Sequence, residues 1–118
     1  MKDLAPDIVR QRLLIEGLYS RSVDQTAVET YLIDVAAHLG LRAYGPPTVH
    51  VPGDANSPEN QGFDAFIPLI DSGISLYVWS EKKFFAAVLF TCKRFDVNAA
   101  LNFTRDYFKA TEVEHRPF

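Results

Sequence analysis

A single cysteine, a single tryptophan and three histidines stand in a chain of 118 residues. One cysteine closes no disulfide, and the histidines show no ligand spacing, so neither a disulfide framework nor a zinc site is expected. A lone thiol also suits a reducing compartment, and the expected location is cytoplasmic. No stretch approaches the roughly 18 uninterrupted apolar residues of a membrane span. The opening MKDLAPDIVRQRLL is broken by charge and proline and offers no secretory apolar core. Positive charge is not in excess: 12 Lys and Arg face 15 Asp and Glu, a net charge of −3, which argues against nucleic acid as a partner. GxGxxG, P-loop, HExxH and GxSxG motifs are all missing. What is present is core-forming material. Hydrophobic residues make up 47% and aromatics 13%, enough for one packed domain spanning residues 1–118.

The pattern of apolar residues then predicts the elements. Residues 9–19, VRQRLLIEGLY, alternate Leu13, Ile15 and Leu18 with polar neighbours and read as a strand. Val23, Ala27, Val28, Tyr31, Leu32, Val35 and Leu39 recur at helical spacing. Ser22 and Gln25 suggest a capping box, and Gly40 suits a left-handed stop. A short extended segment lies within residues 41–52, followed by a Pro-, Gly- and Asn-rich loop up to Gly62. FDAFIPLI, ISLYVW and FFAAVLF read as a three-strand meander, with Ile74, Leu76 and Val78 on one face of the second and Ser75, Tyr77 and Trp79 on the other. The third run is apolar throughout, as expected of a strand covered on both sides. Asp96 can cap a second helix, with Val97, Ala100, Leu101, Thr104 and Phe108 inward, and TEVEH closes the chain as a strand. The expected fold class is α+β: a two-layer sandwich, mostly antiparallel, with two helices on one face of the sheet.

Individual residues carry the chemistry. His38 is positioned to pair with Asp34, His50 precedes the loop, and His115 lies near the end. Asp71-Ser72-Gly73 reads as a hairpin turn with Gly73 supplying the positive φ. Cys92, taken alone, reads as a small buried hydrophobe. Trp79 and Glu81 sit at a strand end, and Lys82-Lys83 reads as a solvated turn.

The segment LIDSGISLYVWSEKKFFAAVLFTC, residues 69–92, resembles the S-adenosylmethionine decarboxylase family, the small prokaryotic pyruvoyl-dependent enzymes of spermidine biosynthesis. Without a gap, Asp71 and Ser72 fall on the family's Glu-Ser cleavage pair. Trp79 and Glu81 fall on its Trp and Glu, and Phe90, Thr91 and Cys92 on its FTC. RLLIEGLYS, residues 12–20, is similar to its opening strand.

The resemblance implies a specific chemistry. Ser72 would be the precursor of a pyruvoyl cofactor, made by attack of its hydroxyl on the Asp71 carbonyl followed by elimination and hydrolysis. Cys92 would return a proton after CO₂ departs. Trp79 and Glu81 would hold the adenosyl part of S-adenosylmethionine or of a related amino acid, with Ile74 beside them. A homodimer or a pairing with a paralogous subunit is also implied, because family members pair their sheets and build sites near the interface.

The chain departs from the family at identifiable positions. Gly73 replaces the histidine after the cleavage serine, and Tyr77 replaces a second histidine important for processing and catalysis. Ser80 replaces the proline of the Trp-Pro-Glu motif, and Asp64 falls opposite a processing serine. Tyr77 can donate a proton, but a phenol hydroxyl is a poor base at neutral pH. Two readings therefore stand side by side. One is a pyruvoyl-dependent decarboxylase with Ser72, Cys92 and Tyr77 catalytic and with Asp71, Ser72 and Asp64 in processing. The other is an unprocessed homologue that binds an adenosyl ligand or serves as a regulatory partner subunit.

Overall fold

The computed structural model describes residues 1–52 and 61–118. Residues 53–60, most of the expected long loop, lie outside the described residues. The described residues form β1 (Gln11–Leu18), α1 (Gln25–His38), β2 (Thr48–His50), β3 (Gly62–Leu69), β4 (Ser72–Trp79), β5 (Phe84–Thr91), α2 (Val97–Phe108) and β6 (Glu112–Pro117). The six strands make one sheet in the order β2-β3-β4-β5-β1-β6. Every pairing among them is antiparallel. This is the expected α+β arrangement. No described helix is long and apolar enough to cross a membrane.

Helix boundaries follow from capping chemistry. α1 starts one step later than the Ser22 box predicts: Asp24 is the cap, and its carboxylate accepts the Ala27 N–H at 2.8 Å. At the other end Gly40 adopts φ +71°. The Gly40 N–H then donates to Ala37 O and the Leu41 N–H to Ala36 O, closing the carbonyls that the last turn leaves open. Asp96 caps α2 as expected, accepting from the Ala99 N–H at 3.2 Å.

Among the described residues, one sheet face is covered by the helices and the other is not. Leu13 and Ile15 of β1, Ile67 and Leu69 of β3, Ile74 and Leu76 of β4, and Phe85 and Leu89 of β5 are buried beneath the helices. Tyr31 of α1 and Phe108 of α2 lock the layers together: Phe108 stacks on Phe85 at 4.2 Å between centroids and lies 4.9 Å from Tyr31. The Tyr31 hydroxyl shares a 2.8 Å hydrogen bond with Thr104 Oγ1, and both residues are fully buried. Burial pushes the Tyr31 phenol far above its ordinary pKa, so it stays neutral at any working pH.

The all-apolar β5 is not covered on both sides. Phe85, Ala87 and Leu89 face the helices, whereas Phe90 on the opposite side is exposed. The open face carries apolar residues of its own, with Leu18, Phe66, Tyr77 and Trp79 joining Phe90.

The Tyr31–Thr104 pair supplies a test of the core. Thr104→Val strands a buried hydroxyl and is expected to cost about 1–3 kcal/mol in denaturant unfolding. Adding Tyr31→Phe removes the stranded group and should recover most of that loss. Additive losses in the double variant would show that the hydrogen bond is not the coupling between them.

Candidate functional site

Ile70 and Asp71 alone connect β3 to β4, since Leu69 already pairs with Ser72. So tight a connection needs one residue in the left-handed half of conformational space, and that residue is Ser72, at φ +116°. The expected donor of positive φ, Gly73, is not among the positive-φ residues. A side chain at that φ stores backbone strain of order 1–3 kcal/mol, held in place by its surroundings.

Those surroundings are specific. The Asp71 carboxylate is almost fully buried and accepts the Arg42 backbone N–H at 3.0 Å and its Nη2 at 2.8 Å. Arg42 belongs to a strap after α1 that runs beside the turn. The Ile70 N–H donates to Arg42 O at 2.8 Å, and the Tyr44 N–H to Pro68 O at 2.9 Å. Arg42 lies 29 residues from Asp71, and no local motif announces the pairing.

The carbonyl on the other side of the strained bond is also held. Asp71 O accepts the Cys92 backbone N–H at 2.8 Å. Ser72 pairs with Thr91 in the β4–β5 register, so Cys92 follows directly beside the turn. The Thr91 hydroxyl is buried and donates to Lys93 O at 2.7 Å, fixing the chain as it leaves β5. Cys92 itself is exposed, which replaces the expectation of a buried hydrophobe with an accessible thiol. An N–H aimed at a carbonyl oxygen polarises that carbonyl and stabilises negative charge developing on it under nucleophilic attack.

Of the remaining expected residues, Asp64, Tyr77 and Trp79 lie on the open face, away from the turn. Asp64 is directly opposite Tyr77 across β3–β4, and His50 directly opposite Asp64 across β2–β3. Register thus sets Asp64 opposite Tyr77 and adds His50, whose place beside the loop in the sequence does not announce that neighbour. Trp79 ends β4 and packs against Phe84 at 5.2 Å, with Glu81 exposed in the following turn beside Lys82 and Lys83. Tyr77 is five residues along the strand from Ser72, roughly 16 Å at the usual rise, so the two groups do not meet within one chain.

Two positions behave differently from expectation or from the family pattern. Ile74 is completely buried on the helix side of β4, so its side chain has no surface to offer a substrate and belongs to the core. At Gly73 a Cβ would come within 2.5 Å of the Phe66 ring, which lies across the glycine. Phe66 therefore fills the space that a side chain at position 73 would need.

Arg42 holds the Asp71 carboxyl below its ordinary pKa, through its side-chain hydrogen bond first and its backbone N–H second. A depressed carboxyl contributes stability that is complete above its unfolded value, about pH 4, and is lost as pH falls through the folded value. Asp71→Asn should therefore unfold more easily than wild type at neutral pH. The gap should narrow below about pH 4 in denaturant titrations. A gap independent of pH would show that the ion pair does not stabilise the turn.

The comparisons with known proteins bear on the fold and the family. The fold matches the crystal structure of the adenosylmethionine decarboxylase from Aquifex aeolicus VF5 with a TM-score of 0.72. The match covers 94% of this chain and 89% of that one at 14% sequence identity, a likeness of fold. None of the curated proteins matches the chain. The family model described as S-adenosylmethionine decarboxylase matches residues 17–118. With most of its length matched and both layers of the fold shared, the chain belongs to the S-adenosylmethionine decarboxylase family.

Proposed function

We propose that this protein is a self-processing, pyruvoyl-dependent decarboxylase of S-adenosylmethionine or a related amino acid, serving polyamine (spermidine) biosynthesis. The observation that carries the reading is the Asp71–Ser72 bond: strained at Ser72 and polarised at Asp71 O by the Cys92 N–H. Ser72 Oγ adds to the Asp71 carbonyl carbon, and the C–N bond breaks to leave an ester and a free amine on residue 72. Elimination releases the Asp71 carboxylate, and hydrolysis releases ammonia, leaving residue 72 as the pyruvoyl group. Relief of the strain at Ser72 favours the first step. These residues fit the group, which supplies an electron sink for loss of CO₂ when formed.

The chain's own side chains supply the rest. The exposed Cys92 thiol beside the turn returns a proton. Tyr77, paired with Asp64, is the hydroxyl donor where the family has histidine. Trp79 and Glu81 hold the adenosyl part. Because Tyr77, Trp79 and Glu81 lie at the far end of β4, a second copy packed sheet to sheet would complete the site, with its own Trp79 and Glu81 brought toward Ser72. The exposed Phe66, Phe90 and Leu18 on the open face support such a homodimer, and a paralogous subunit meets the same geometry.

The second reading is an unprocessed homologue that binds an adenosyl ligand or regulates a partner. It is favoured by Gly73 beside the turn and Tyr77 farther along β4, which stand where the family has its two histidines.

Intact mass with denaturing electrophoresis separates the two. The decarboxylase reading expects fragments of residues 1–71 and 72–118, and an uncut chain for Ser72→Ala. Full-length wild type with unmodified Ser72 would sink it, and cleavage of the alanine variant would exclude this serine as nucleophile. The adenosyl-binding form of the second reading expects calorimetric heat with S-adenosylmethionine or methylthioadenosine that Trp79→Ala abolishes. Absence of heat with both ligands removes the adenosyl site.

A further inference from the structure

Arginines gather at one corner of this acidic chain. Arg10 precedes β1, Arg12 lies within it, and Arg94 follows β5; the three line a cavity of about 440 Å³ together with Asp3, Ile8 and Phe118. Arg10 is already engaged, its guanidinium donating to the Asp3 carboxylate and to Ala5 O at 3.1 Å. Arg12 lies over the Phe118 ring at 5.8 Å. Among the described residues neither Arg12 nor Arg94 has a carboxylate within ion-pair distance. Arg12 acts on the Asp3 carboxylate only through longer-range attraction, so both Arg12 and Arg94 keep their donors free of a direct carboxylate partner for an anion in the cavity. The planar donor fork of arginine matches the oxygens of phosphate and can bind two at once.

From this geometry we propose that the cavity binds a phosphate monoester, with the phosphate on Arg12 and Arg94 and the organic part against Ile8 and Phe118. The volume exceeds what phosphate alone needs and falls in the range of small-molecule sites. Ile8 and Phe118 are both exposed, so an organic group covering them gains apolar burial. The family model matches residues 17–118, so its match does not include Asp3, Ile8, Arg10 or Arg12, although the fold match takes in 94% of the chain. The site stands independently of the decarboxylase reading. It is nonetheless a neighbour of the turn: Arg12 pairs with Phe90, and Phe90 with Gly73, two strand spacings or roughly 10 Å away.

Calorimetry on the full chain at low salt, with inorganic phosphate and phenyl phosphate as probes, tests the site. Saturable binding of both is expected, tighter for phenyl phosphate and weakened by added salt. Arg12→Ala with Arg94→Ala should weaken both by about tenfold or more, since each lost contact is a hydrogen bond to a charged group. Phe118→Ala should weaken phenyl phosphate and leave inorganic phosphate unchanged. Arg105→Ala, on α2 and outside the cavity, should match wild type. Non-saturating heats overturn the proposal, as does saturable binding that the double arginine variant leaves unchanged. Arg94→Gln, at an exposed position, provides the same readout should the double variant prove unstable.

Discussion

Because Leu69 pairs with Ser72 and Ser72 pairs with Thr91, β4 enters the sheet with Ile74, Leu76 and Val78 toward the helices. Side chains alternate along a strand, so a slip of one residue would exchange its two faces. The core would then receive Ser75, Tyr77 and Trp79, and the open face would receive three aliphatic side chains. The register that protects the core therefore also fixes which groups meet outside it. The Cys92 N–H reaches Asp71 O, and Asp64 stands opposite Tyr77, only in this pairing.

The site divides into a rigid end and a displayed end. At the rigid end, Arg42 holds the Asp71 side chain while Cys92 holds its carbonyl, so the peptide before Ser72 is gripped from both sides. At the displayed end, Tyr77, Trp79 and Glu81 project from the open sheet and its last turn with few fixed partners. A sheet with aromatic residues on an uncovered face has unfinished burial, and closing that face would serve packing and site assembly together.

Much of the architecture was legible because it depends on local rules. Alternation in ISLYVW separated the two faces, helical spacing found both helices, and Asp96 marked the start of the second. Ser22 misled because two capping residues stand within three positions, and only the geometry of the entering chain selects Asp24. FFAAVLF misled because an apolar strand reports burial by something, and sequence does not say whether a helix or another molecule provides it. The positions of Ser72 and Cys92 were legible through family resemblance, whereas the strain at Ser72 was assigned to its neighbour. Glycine tolerates positive φ more readily, but the two-residue connection places the demand one position earlier. Arg42 and the alignment of His50 with Asp64 were not legible, since both arise from contacts between segments distant in sequence.

Phe66 and Gly73 form a pair across β3 and β4 that shares one small volume. The ring occupies the volume above the glycine, so a histidine introduced at position 73 collides with it unless the ring first swings away or is trimmed. Phe66 is half-exposed, so its ring end can rotate toward solvent, and that one rotation opens the space above position 73.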